Sequence, residues 1–79
     1  MEDKNWSVRL AAVRKINDQP QLAKIAVEDM HRDVREAAVS KVIGQTILTK
    51  IALEDKVRDI RSTAVEKLTD QTLLVKFAV

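Results

Sequence analysis

Apolar residues recur along this chain at helical spacing. Val34, Ala38, Val39 and Val42 fall on one side of a helix turning about 100° per residue, and Leu48, Ile51 and Ala52 form a second stripe beyond Gly44. Polar and charged residues fill the positions between. Asp33 stands where an N-cap is needed before the first stripe, and Glu36 three residues on completes a capping box. Gly44 predicts a break, with a second helix from about Gln45. No segment alternates apolar and polar residues as a half-buried strand would.

The pattern is written three times. Laid on itself at an offset of 26 residues, the chain matches without a gap, giving units 2–27, 28–53 and 54–79. Ten of the 26 columns are identical in all three, and four more exchange only large apolar residues, as at Ile16, Val42 and Leu68. Each unit therefore predicts two short helices, six in all. In the first unit Asp18 holds the place of Gly44, and Pro20 sits in the first turn of the second helix, where a missing N–H costs little. In the third, Asp70 is the expected N-cap. Helices of about ten residues do not persist alone in water, so their stability must come from units stacking on one another. Ala12, Ala38, Ala64, Ala26, Ala52 and Ala78 would allow close backbone approach, with Leu22, Leu48 and Leu74 filling the space between.

The strings Asp33-Val34-Arg35-Glu36-Ala37-Ala38-Val39 and Val8-Arg9-Leu10-Ala11-Ala12-Val13 resemble the signature of HEAT-like repeats, above all the short repeats of phycobilin lyase subunits. The resemblance covers the whole chain, although 26 residues is short for such a unit. It implies an Asp–Arg ladder between adjacent repeats, here Asp3, Arg9, Asp29, Arg35, Asp55 and Arg61, with the same Asp-to-Arg interval each time. The expected fold is all-α: a right-handed α–α superhelix (solenoid) of three 26-residue helical hairpins, forming a single domain over 1–79. The family is a scaffold class whose members bind proteins, nucleic acid or chromophores, so its fold does not by itself assign a function.

The chemistry on offer is sparse. The arginines could form an anion-binding row, but an Asp at fixed spacing in every copy favours a structural pairing. Lys15, Lys41 and Lys67 form one lysine row and Lys24, Lys50 and Lys76 another; the second lies opposite its helix's apolar stripe and should face solvent. Glu28 and Glu54, four residues after Lys24 and Lys50, would screen it. In HEAT-like proteins the second helix of each repeat lines the concave side. That implies a partner surface of Gln21, Lys24, Ile47, Lys50, Leu73 and Lys76, with Ala23, Thr49 and Val75 alongside. His31 is alone in a loop column and reads as a surface residue; no cluster is spaced for a metal, and no cofactor is implied. Trp6 replaces the arginines at Arg32 and Arg58, which suits an end-capping contact better than an interface anchor. The acid pairs Glu2-Asp3, Glu28-Asp29 and Glu54-Asp55 are triplicated, and catalysis needs one pocket, so no catalytic residue is assigned.

Composition narrows the partners. Hydrophobic residues are 46% and charged residues 33% of the 79, which suits a small folded domain rather than a disordered chain. Fourteen basic residues face 12 acidic ones, a net charge of +2, so a pI of 9.2 gives only faint support to a nucleic-acid partner. Base-stacking aromatics are nearly missing. There is no cysteine, no membrane-length apolar run and no leader-like start, which makes a cytoplasmic setting the default. The expected function is a non-catalytic protein-interaction scaffold. Electrostatic binding of nucleic acid or another polyanion through the lysine rows is the alternative, and an accessory subunit of a chromophore lyase the second. The chain is in exact register with its repeat at both ends and closes on apolar residues. This favours a segment of a longer array, with some self-association through uncapped ends.

Overall fold

The computed structural model describes residues 5–78, and their side chains as far as residue 70. Among these residues the backbone forms five α-helices and no strand: α1 (Trp6–Lys15), α2 (Gln19–Glu28), α3 (Arg32–Lys41), α4 (Gln45–Glu54) and α5 (Arg58–Ala78). The molecule is extended along one axis, 45 × 25 × 15 Å. Its second helices pack chiefly on the next unit's first helix, α2 on α3 and α4 on α5, while α3 also lies against α1 and against α5. The core is therefore made between units. Leu22 and Leu48 are buried in it, together with Ala26, Ala38 and Ala64.

The helix starts differ from the sequence expectation. The N-cap of α3 is His31, whose Nδ1 accepts from the Asp33 backbone N–H at 3.1 Å. Asp33 lies inside the first turn, so the capping box with Glu36 is not formed. In the same column Asn5 caps α1, its Oδ1 accepting from the Ser7 N–H at 3.2 Å. Asp18 caps α2 as predicted, accepting from the Gln21 N–H at 3.2 Å, with Pro20 in the first turn.

The links inside the first two units are extended, from Ile16 (φ −80°, ψ 133°) to Asp18 and from Val42 (φ −74°, ψ 134°) to Gly44. Gly44 has φ −70°, open to any residue, and nothing lies within 4 Å of where a Cβ would stand. The break is thus not made by glycine's conformational freedom. In the third unit it is missing. The helix runs through Leu68, Thr69 and Asp70 as the 21-residue α5, so five helices form where six were expected, and Asp70 is no N-cap. That stretch holds neither glycine nor proline to disfavour the helix.

Candidate functional site

The joints between units account for most of the recurring polar residues. Arg9 on α1 reaches the next unit's Asp29, with Nε to Oδ2 at 2.8 Å and Nη2 to Oδ1 at 3.0 Å. Arg35 on α3 does the same with Asp55, at 3.0 and 3.4 Å. Its Nη1 also donates to the carbonyls of Asp29 at 2.9 Å and Met30 at 3.2 Å, tying the guanidinium to its own loop. Arg61 keeps that inner half, donating to the Asp55 carbonyl at 2.6 Å. Asp3 lies outside the described residues. Each described aspartate also holds its own loop. Asp29 Oδ1 accepts from the His31 N–H at 2.9 Å, and Asp55 Oδ1 from the Val57 N–H at 2.8 Å. Burial by itself would raise the Asp29 carboxyl. The Arg9 hydrogen bond, the His31 N–H and the Arg9 charge outweigh it and hold the group below its ordinary 3.8. The Arg35–Asp55 pair is the more buried, its side chains 8% and 5% exposed, and no described buried side-chain N or O lacks a hydrogen-bond partner.

Two members of the first lysine row, Lys41 and Lys67, belong to the joints too. Lys41 Nζ donates to the carbonyls of Val13 at 2.9 Å, Arg14 at 3.0 Å and Ile16, closing the open end of α1 from the unit after it. Lys67 donates to the Ser40 carbonyl of α3 at 2.9 Å. A cation at a helix C-terminus meets both its unpaired carbonyls and its dipole. Gln19 completes the joint by bridging the following unit's link, its Nε2 donating to the Lys41 carbonyl at 2.9 Å and its Oε1 accepting from the Ile43 N–H at 3.0 Å. From the sequence this lysine row is expected only as part of an electrostatic surface, and the glutamine carries no expectation. The signal was available, since Gln19, Gln45 and Gln71 form one of the ten identical columns.

The expected partner surface is left over when the joints are complete. Gln21, Lys24 and Lys50 are exposed on α2 and α4, and Ile47 is partly buried beside them. Lys50 pairs with Glu54 one turn on, at 3.3 Å. Leu73 and Lys76 fall on α5 where side chains lie outside the described set. Trp6 stacks on His31 across the first joint, ring centroids 4.0 Å apart and planes 13° from parallel; in the next joint Arg32 reaches Asp59 at 3.4 Å. His31 is therefore a helix cap under an aromatic ring rather than a bystander. Among the described residues no group of three His, Cys, Asp or Glu side chains is placed to hold a metal ion, and no helix is long and apolar enough to cross a membrane. No protein-family model matches the chain, and neither a curated protein nor a solved structure matches it.

Proposed function

We propose that this chain is a non-catalytic interaction scaffold, a solenoid segment of the HEAT-like kind that presents the outer faces of α2 and α4 to a protein partner. One observation carries the reading. Lys24 and Lys50 share a column identical in all three units, yet both are exposed and neither is hydrogen-bonded to a neighbouring unit. Arg9, Arg35, Lys41, Lys67 and Gln19 all serve joints. A residue type repeated in every unit and not spent on stacking is available for binding. Spaced by about one helix-packing distance of roughly 10 Å, such lysines match an acidic protein face better than a nucleic-acid backbone, because Lys41 and Lys67 are already committed to carbonyls and cannot widen the positive row.

The test is an NMR titration with a glutamate-rich peptide and, separately, with duplex DNA. The scaffold reading expects the peptide to move amide signals of Gln21, Lys24, Ile47 and Lys50, and Lys24→Glu/Lys50→Glu to abolish the response. DNA binding that weakens steeply with salt and survives that double substitution would replace it with the polyanion reading.

A further inference from the structure

Among the described residues, α1 and α5 expose side chains from columns that the inner joints bury. On the side of α1, Val8 is 56% exposed and Ala12 is exposed, whereas Val34, Ile60, Ala38 and Ala64 in the same columns are 0% exposed. Lys15, in the column of Lys41 and Lys67, makes no hydrogen bond among the described residues. On the side of α5, Val65 is 50% exposed, whereas Val13 and Val39 are buried. Among the described residues Arg61 forms no ion pair, although Arg9 and Arg35 each take a carboxylate from the unit that follows. The groups left over are those that inner joints pair with carbonyls and carboxylates: the α1 face offers the Lys15 ammonium beside Val8 and Ala12, and the α5 face offers Val65 and a guanidinium edge.

The uninterrupted α5 fits the same pattern. Where a unit is followed by another, the follower's lysine covers the carbonyls that the link exposes, as Lys41 does for α1. Where the preceding unit's glutamine can bridge a link, it does, as Gln19 does between Lys41 and Ile43. The Gln45 side chain, in the same column, makes no hydrogen bond among the described residues, because the groups of the third unit that it would bridge are inside a helix.

We propose that the α5 face binds the α1 face of a second copy of this chain, head to tail, and that docking splits α5 at Leu68–Asp70 into the two-helix form of the other units. Lys15 of the second copy then caps the carbonyls of Val65, Glu66 and Leu68, Gln45 bridges the new link, and Val8 covers Val65. The proposal goes beyond the scaffold reading and does not use its lysine face. Because the contact is heterologous, it grows as an open chain and does not close as a symmetric pair.

Sedimentation velocity of the intact chain tests this over a wide concentration range. The average mass should rise past that of a dimer without a plateau. Thr72→Pro places a proline in the column of Pro20 and splits α5 in advance, so the rise should begin at about tenfold lower concentration, as expected when the competent state is pre-formed. Gln45→Ala, at an exposed position, should leave the monomer's melting unchanged and weaken association. Val8→Glu and Val65→Glu should each stay monomeric alone and form a terminating one-to-one pair when mixed. A wild type and a Thr72→Pro variant both monomeric throughout would overturn the proposal, as would a dimer that stops growing or variants that mixing does not rescue. Helical Cα chemical shifts at Thr69 and Asp70 that persist in the associated species would overturn the splitting of α5.

Discussion

At the scale of single residues, the arginine column carries the largest consequences. Arg35 is 7% exposed and divides its donors between the Asp55 carboxylate and two loop carbonyls. Removing it leaves a buried charge and orphaned acceptors, so Arg35→Ala is expected to cost about 3–5 kcal/mol, read by urea unfolding. Arg9→Ala should cost less, because the Arg9 side chain is 25% exposed and water replaces part of what is lost. Asp29 adds a pH signature. The Asp29 carboxyl is held below 3.8 in the folded chain, so its contribution is complete above that value and lost as pH falls through the folded pKa. Stability measured by denaturant at falling pH should drop in this acid window, and Asp29→Asn should flatten that part of the profile. An unchanged slope in the variant would place the acid sensitivity elsewhere.

At the scale of elements, the links between helices show what the sequence could and could not reveal. Asp18 and Pro20 are local signals, since an N-cap side chain bonds its own first turn, and both are found where the sequence predicts them. Gly44 and Asp70 looked equivalent to Asp18 by column, yet Gly44 stands in a link and Asp70 inside a helix. The difference is not local. Links one and two run beneath lysines from α3 and α5, 27 or so residues further along, and no pattern within a single unit contains that partner. His31 is a different case: its cap is local, bonding the Asp33 N–H two residues on, and its column holds Asn5, a good cap, which is the available clue. Two expectations follow at this scale. Gly44→Asp supplies the missing side-chain cap at a φ that suits it and restricts the unfolded chain, so it should stabilise by about 1 kcal/mol, or roughly 4–8 °C in Tm. Lys41→Met should destabilise and open α1 first, seen as faster amide exchange at Val13 to Ile16 than in α4. Equal acceleration everywhere would mean that the lysine does not act as a cap.

At the scale of the whole molecule, the recurrence every 26 residues translates into contacts that cross from one unit to the next. Ala26, Ala38 and Ala64 are buried, whereas Ala52 is only partly buried and Ala12 is exposed, against expectation. The all-helical class and the two-helix form of the first two units were legible because apolar spacing and internal identity act at short range. The fate of the third unit and the allocation of lysine and glutamine were not, because they depend on which surfaces are stacked. The partner surface was legible only as a list of columns, of which α2 and α4 supply the described part.

The central claim is that these joints hold the fold, and a double-mutant cycle between Arg35 and Asp55 tests it most directly. Asp55→Asn keeps an acceptor for the Val57 N–H while removing the charge, and Arg35→Met keeps the packed stem. Urea unfolding of the parent, both single variants and the double variant should give a coupling energy of about 1.5–3 kcal/mol between the two sites. Additive losses, with a coupling indistinguishable from zero, would contradict the account.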